Sequence, residues 1–403
     1  MRILIATPVF YPMINGVAMF SYNLARGLVA RGHEVVVITP SQTGEKHTDI
    51  LENLKIYYLK SVPVKVYPDQ IHEVPKQKKF FYKYSLRTSL FPSGQIKKIF
   101  EEFKPEVVHV QGSDPIGVSV VRRARKNHVP VVTTEHNQPE VLTQSLKMPN
   151  WLRKTVNNLL TKYFVNRQKK SDYVTMPTKL AIEKLLGGKD INVPVEAVSN
   201  GVDLTAFKPA KAKDAAHVPT IIYIGRLDPE KNVGAVLEAF ADFLDNHKLD
   251  GLSKALFVVA GDGTDKRHLM AEAKKLGIEK SVKFLGRVMP PELYEVYRAG
   301  DVFVTASEIE TQGIVLIEAA ASGLPLIAVD GGAVAEICQN GVNGYLLKSG
   351  DSKAMSAAMT DVLSDPNKRA KMAENSLKIA AGHSFEKTLD KFLEIYKKVC
   401  YNS

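Results

Sequence analysis

Two glutamates separated by seven residues, Glu310 and Glu318, flank Thr311-Gln312-Gly313 and a short apolar run. A carboxylate accepts paired hydrogen bonds from neighbouring hydroxyls, such as those of a sugar ring or a ribose. The run Ile314 to Ala321 predicts the first turns of a buried helix that ends near Ser322-Gly323-Leu324-Pro325. Gly313 then stands at the helix N-terminus, where free backbone N–H groups and the helix dipole favour a phosphate. Glu310 falls in the loop before that helix and Glu318 about two turns into it. A phosphate seat between two hydroxyl-reading carboxylates suits a sugar nucleotide. The plainer alternative is a helix-terminal carboxylate and a solvated glutamate.

Other groups able to do chemistry recur where a strand runs into a helix. Gly225-Arg226-Leu227-Asp228-Pro229-Glu230-Lys231-Asn232 follows an apolar run. Arg226 and Lys231 there could neutralise a diphosphate and stabilise it as a leaving group without a metal. The competing reading is an ion pair of Arg226 with Asp228 or Glu230. Gly261-Asp262-Gly263 is a second turn of this type, and Asn15-Gly16 opens a helix after the first strand. His136, in Glu135-His136-Asn137, ends a strand and could contact a sugar hydroxyl, whereas His109 lies inside a strand and reads as buried structure.

These residues need a scaffold that brings strand ends together. Candidate strands are Ile3–Thr7, Glu34–Thr39, Val107–Val110, Val131–Glu135, Tyr173–Met176 and Val195–Val198. A second series is Thr220–Ile224, Ala255–Ala260, Val282–Leu285, Val302–Thr305 and Pro325–Val329. Val/Ile-rich runs between helical segments predict parallel sheets covered on both faces, an α/β class with two Rossmann-like doubly wound domains facing a central cleft. Asn200-Gly201 and the Lys/Ala-rich stretch near Lys208–Lys213 mark the break. The domains are expected at 1–200 and 201–383, with a final amphipathic helix in 384–403 crossing back to the first.

The 403 residues carry a formal charge of +11. Residues 1–200 hold 29 Lys/Arg against 16 Asp/Glu, and residues 201–403 hold 25 against 27, so the first half contains the whole excess. Two acid-free stretches dominate it. One carries Lys76, Lys78, Lys79, Lys83 and Arg87 among Phe80 and Phe81. The other carries Trp151, Arg153 and Lys154 at the start of a helical pattern in which Leu152, Val156, Leu159, Leu160 and Tyr163 share a face. Cations mixed with aromatics suit an anionic membrane surface. Solvated helix faces are the plainer reading, and no nucleic-acid motif supports a nucleic-acid partner. The two cysteines, Cys338 and Cys400, lack metal-ligand spacing, so no metal site is expected and a reducing cytoplasmic compartment is. Pro8 and Pro12 interrupt the apolar start, which reads as a buried strand rather than a signal peptide. No apolar run nears the ~18 residues of a membrane span.

Across nearly the whole chain these motifs resemble the retaining glycosyltransferases of the two-Rossmann-domain GT-B class. That large family includes phosphatidylinositol mannosyltransferases, sucrose synthases and diacylglycerol glucosyltransferases. The resemblance implies roles. Glu310 would bind donor-sugar hydroxyls and Glu318 the nucleotide ribose. Backbone groups of Gly313, Ile314 and Val315 would meet the sugar and diphosphate. Arg226 and Lys231 would hold the diphosphate, Gly16 would approach it, and His136 would touch the sugar near its reacting carbon. Arg287 and Val288 would lie near the base. The implied mechanism is front-face displacement with retention, without cofactor or metal.

Many relatives have two glycines where this chain has Asn15-Gly16. The Glu-Thr-Gln-Gly form at Glu310 resembles lipid glucosyltransferases. The expectation is transfer of glucose from UDP-glucose to diacylglycerol by a protein held at the cytoplasmic membrane face. The alternatives are mannosyl transfer from GDP-mannose to phosphatidylinositol or another glycan acceptor, a UDP-sugar epimerase, and a non-catalytic sugar-nucleotide-binding protein.

Overall fold

The computed structural model describes residues 1–13, 15–64, 86–136, 139–144, 149–210, 217–248 and 251–401. The chain divides into two compact units, Met1–Asn200 with Thr388–Ser403, and Gly201–Lys387.

In the first unit the order is β1 (Arg2–Ala6), α1 (Gly16–Ala30), β2 (Glu34–Pro40), β3 (His47–Leu51), β4 (Leu54–Leu59), β5 (Val62–Pro63), β6 (Arg87–Thr88) and α2 (Ser93–Phe103). It continues with β7 (Val107–Gln111), α3 (Pro115–Lys126), β8 (Val131–Thr134), α4 (Pro139–Gln144), α5 (Asn150–Gln168), β9 (Tyr173–Met176), α6 (Lys179–Leu186) and β10 (Val195–Ala197). The main sheet runs β10-β9-β8-β7-β1-β2-β4-β3, parallel except for β3 against β4. The sequence reading omits β3 and β4. In β3, polar and exposed His47, Thr48 and Asp49 give no apolar period, because an edge strand needs no buried face. Connections leave in opposite directions from β1 and β7, which pair directly, so the crevice a ligand uses in such folds opens beyond their carboxyl ends.

Period-two alternation decides what each strand buries. On β7, Val108 and Val110 join one core with Ile96, Phe100, Ile116 and Val120 of α2 and α3. His109 and Gln111 point to the other face and are buried as well.

The second unit runs β11 (Thr220–Ile224), α7 (Val233–Asn246), β12 (Leu256–Ala260), α8 (Lys266–Lys275), β13 (Val282–Gly286), α9 (Glu292–Ala299), β14 (Val302–Thr305), α10 (Ile314–Ala321), β15 (Leu326–Val329), β16 (Gly344–Leu347), α11 (Ser352–Ser364) and α12 (Pro366–Ala380). Helix α13 (Phe385–Tyr401) begins here, and its residues from Thr388 belong to the first unit. The sheet is parallel in the order β13-β12-β11-β14-β15-β16. Ile221 and Tyr223 enter a core with α7, α8 and α11, while Ile222 and Ile224 enter another with α9 and α10. Each β11 residue is buried, which is why the strand reads as a continuous apolar run. The topological switch lies between β11 and β14.

Candidate active site

The residues singled out in the second half of the chain lie on the carboxyl-end loops of this parallel sheet or, for Ile314, Val315 and Glu318, in the helix α10 that one of those loops leads into. Lys231 ends a short turn, Pro229–Lys231, after β11, and Glu310 lies in the loop after β14. Those two strands flank the switch, so the loops meet there. Lys231 Nζ donates to Glu310 Oε1 at 2.5 Å and to Ser307 Oγ at 3.2 Å. Both charged side chains are mostly buried, each about 16% exposed, and their mutual neutralisation lowers the cost of holding them there.

Arg226 takes the ion-pair reading in this structure. Its guanidinium donates to Asp228 and, at 2.6 Å, to Glu230. Asp228 is buried and also accepts from the Thr264 amide and hydroxyl, both at 3.0 Å, so Arg226 is anchored at one end while 44% of its side chain stays exposed. Gly261 makes this crowding possible. A Cβ at Gly261 would stand 1.8 Å from the Gly225 carbonyl oxygen, and the Gly225 amide donates to Ala260 at 3.0 Å, so the ends of β11 and β12 touch through backbone alone.

Gly313, with φ +77°, is the N-cap of α10, and its carbonyl accepts from Leu316 and Ile317. The amides of Ile314 and Val315 occupy the first turn, where a helix offers no acceptor of its own. Glu318 is the fifth residue of α10, so it lies little more than one turn in, not two. It is half-buried and accepts from the Tyr297 hydroxyl at 2.7 Å, and burial pushes its carboxyl up to about 7. The Glu310 loop is held from behind by Gly331-Gly332-Ala333. The Ala333 amide donates to the Glu310 carbonyl at 2.8 Å, and a Cβ at Gly332 (φ +60°) would lie 2.1 Å from that same oxygen. Arg287 and Val288 follow β13 and are half-buried; Val288 packs against the core that holds Tyr297 and Leu316.

Sequence reading missed the supporting residues Thr264, Tyr297, Ser307, Gly331 and Gly332. Of these only the Gly-Gly pair after β15 carried a sequence pattern, a strand-to-loop turn like those at Gly225 and Gly261.

In the first unit, Gly16 is the first residue of α1, the helix that follows β1 in the chain. Asn15 caps this helix, its side chain accepting from the Ala18 amide at 2.9 Å, so it fixes where the helix starts. His136 follows β8, is buried, packs edge-on against Phe20 and shares a 2.8 Å hydrogen bond from Nε2 to Gln111 Oε1. Burial holds its ring down to about 4 and that of His109 down to about 3, so both are neutral at pH 7. Beside them, the Ser113 hydroxyl donates to buried Glu135 at 2.9 Å.

The basic segments divide. Lys76, Lys78, Lys79, Phe80, Phe81 and Lys83 lie outside the described residues. Arg87 is half-buried and donates to the Ser61 hydroxyl and carbonyl at 2.9 and 3.0 Å, so it ties β6 to the chain beside β5. Along α5, Trp151 is 73% and Leu159 61% exposed; Lys154 and Lys162 are exposed with them, and Arg153 is half-buried. The apolar stripe assigned to one face therefore splits, with Leu152, Val156 and Leu160 half-buried and Leu159 and Tyr163 outward. Phe91, before α2, is 90% exposed. Among the described residues no helix is long and apolar enough to cross a membrane, and no cluster of His, Cys, Asp and Glu could hold a metal.

Two families match in tandem. Residues 14–206 match "Glycosyltransferase Family 4" and residues 205–379 match "Glycosyl transferases group 1". With two Rossmann-like parallel-sheet units and the loop cluster at the second sheet's switch point, the chain belongs to the GT-B glycosyltransferases of group 1. It is 28% identical to the alpha-monoglucosyldiacylglycerol synthase of Streptococcus pneumoniae, over 81% of this chain and 71% of that one. The Acholeplasma laidlawii protein of the same name is also 28% identical, over 87% and 86%. A GDP-mannose-dependent alpha-mannosyltransferase of Mycobacterium tuberculosis is 26% identical over 99% and 97%. The fold superimposes on sucrose-phosphate synthase from Thermosynechococcus elongatus with a TM-score of 0.75 at 18% identity, each chain covered in full.

Proposed function

We propose that this glycosyltransferase is a retaining enzyme that moves glucose from UDP-glucose to diacylglycerol at the cytoplasmic face of a membrane. The observation that carries the reading is the Lys231–Glu310 pair at the switch point, followed a few residues on by the N-terminus of α10, the helix that carries Glu318. The relation to two alpha-monoglucosyldiacylglycerol synthases supports the donor sugar and the lipid acceptor.

In this reading the donor diphosphate lies against the first turn of α10. Lys231 and Arg226 supply positive charge as negative charge builds on the departing phosphate. The cations are already held by Glu310, Asp228 and Glu230, so they need little reorganisation to stabilise the transition state. Glu310 shares its carboxylate between Lys231 and the sugar hydroxyls, which sets the hexose in place. Glu318 receives the ribose hydroxyls. The acceptor hydroxyl oxygen bonds to the anomeric carbon on the face the diphosphate leaves. The carbon–oxygen bond to the phosphate breaks, and the hydroxyl proton passes to the leaving phosphate oxygen. Configuration is retained, and neither a carboxylate nucleophile nor a metal takes part. Exposed Trp151, Leu159, Phe91 and Lys154 would rest on an anionic membrane that supplies the lipid.

The test is to supply the purified chain with UDP-glucose, UDP-galactose or GDP-mannose, with and without diacylglycerol in anionic vesicles, and to identify lipid products by mass spectrometry. A glucosyl-diacylglycerol of α configuration from UDP-glucose is the expected result. A mannosyl product from GDP-mannose would favour the second reading, which the Mycobacterium relative supports. Release of the nucleotide alone would remove diacylglycerol as the acceptor.

A further inference from the structure

A buried chain of hydrogen bonds in the first unit runs from His136 to the final helix. His136 Nε2 lies 2.8 Å from Gln111 Oε1. The Gln111 amide nitrogen lies 3.2 Å from His109 Nε2, and that same Nε2 lies 2.6 Å from Thr134 Oγ1. His109 Nδ1 lies 2.6 Å from the Tyr396 hydroxyl of α13, and Thr134 Oγ1 lies 2.6 Å from Thr175 Oγ1. His109, Gln111, Thr134, Thr175 and Tyr396 are all buried. Alternation along β7 puts His109 and Gln111 on the same face, and the register sets Gln111 beside Thr134 of β8.

The chemistry of these groups gives the chain a direction. An amide oxygen only accepts, so His136 carries its hydrogen on Nε2. An amide nitrogen only donates, so His109 Nε2 carries the lone pair and receives Gln111 and Thr134. A neutral His109 then has its hydrogen on Nδ1 and donates it to the Tyr396 oxygen. Turning the Gln111 amide over would reverse both rings at once, so one side chain decides the state of each.

We propose that Gln111 is a positioning residue for the transfer reaction: it holds His136 as the Nε2–H tautomer, so that Nδ1 meets the transferred sugar as an acceptor of a hydroxyl hydrogen bond. The His109–Tyr396 pair anchors that amide from the final helix. This role rests on the transfer reading above. It explains why three polar side chains, His109, Gln111 and Tyr396, are committed to a part of the core that apolar residues would fill more cheaply. Burial keeps His136 neutral, so that with its one hydrogen on Nε2 the Nδ1 atom keeps a lone pair to accept with.

The full-length chain labelled with 15N at histidine decides the tautomer by long-range 1H–15N correlation at neutral pH, with His136→Asn assigning its peaks. An Nε2-protonated His136 and an Nδ1-protonated His109 are expected. The reverse tautomer, or a fast mixture at His136, overturns the proposal, and this readout is made on the unaltered chain and does not depend on Gln111→Leu folding. In Gln111→Leu, His136 should become a mixture of tautomers and kcat/KM for the donor should fall about tenfold, the size of one lost hydrogen bond near 1.4 kcal/mol. An unchanged kcat/KM in folded Gln111→Leu overturns the role. Turnover with His136 in the Nδ1–H form overturns the positioning role and spares the transfer reading. An intact Nε2–H form with no turnover of any donor overturns the transfer reading on which the role rests.

Discussion

Donor binding is expected to release a proton and to weaken as the pH falls through 7, because of Glu318. Burial lifts this carboxyl to about 7, partly offset by the Tyr297 hydroxyl. Ionised, it accepts from the ribose hydroxyls at both oxygens, whereas the protonated form turns one oxygen into a donor and accepts more weakly at the other. If the ionised form alone binds, the apparent dissociation constant scales as one plus ten to the power of pKa minus pH. That factor is roughly 1.1 at pH 8, about 2 at pH 7 and about 11 at pH 6, so affinity falls about tenfold, near 1.4 kcal/mol, between pH 8 and pH 6.

The sign for stability is separate. The folded pKa is raised above the unfolded value, so the contribution is fully present below about pH 4.5 and is lost as pH rises through about 7. The loss is on the order of 3 kcal/mol for a shift of this size. Calorimetry with UDP-glucose, whose diphosphate diester does not titrate in this range, should show the tenfold slope and one proton released at pH 6. Glu318→Gln should bind more weakly at pH 8 and show a flat profile. A wild-type profile that is flat from pH 6 to 8, or the same slope in Glu318→Gln, refutes the assignment of Glu318 to the ribose.

Three other outcomes follow from the geometry. Lys231→Ala leaves Glu310 and Ser307 without their cation; the melting midpoint should drop for a loss of about 2 kcal/mol, and kcat should fall about a hundredfold or more, with equal kcat in both proteins counting against the diphosphate role. Gly261→Ala places a Cβ against the Gly225 carbonyl and should cost about 3 kcal/mol or more in urea unfolding, and a cost below 1 kcal/mol would mean the two strand ends separate easily. Lys154→Glu with Trp151→Ala should weaken sedimentation with anionic vesicles by about tenfold at low salt, with the difference shrinking as salt screens the surface. Binding that ignores both the variant and the salt would place the membrane contact elsewhere.

Several parts of this protein were legible from the chain alone. The buried parallel strands announce themselves as Val/Ile runs because both faces of each sheet are covered. Helix α10 was readable from the apolar run between Gly313 and Ser322, and α13 from its amphipathic period. Glu310, Glu318, Arg226 and Lys231 stood out because glycine turns after strands mark places where backbone can approach a ligand. All of these are local relations, set by neighbours a few residues away. The polar edge strand β3 stayed hidden because it buries no face of its own.

What only the tertiary structure decided is which group meets which. Lys231 and Glu310 are 79 positions apart and pair because β11 and β14 are neighbours in the sheet. His109 and Tyr396 are 287 apart and meet because the last helix returns to the first unit. Nor could the sequence say that Arg226 is tied to both Asp228 and Glu230, or that Asn15 caps a helix. The sign and size of the Glu318 shift were also out of reach, since they depend on Tyr297 and on how much water the fold removes. Residue type and spacing determine which chemistry is possible here. Strand order and burial determine the charge and partners of each group, because desolvation and hydrogen bonding act across space and not along the chain.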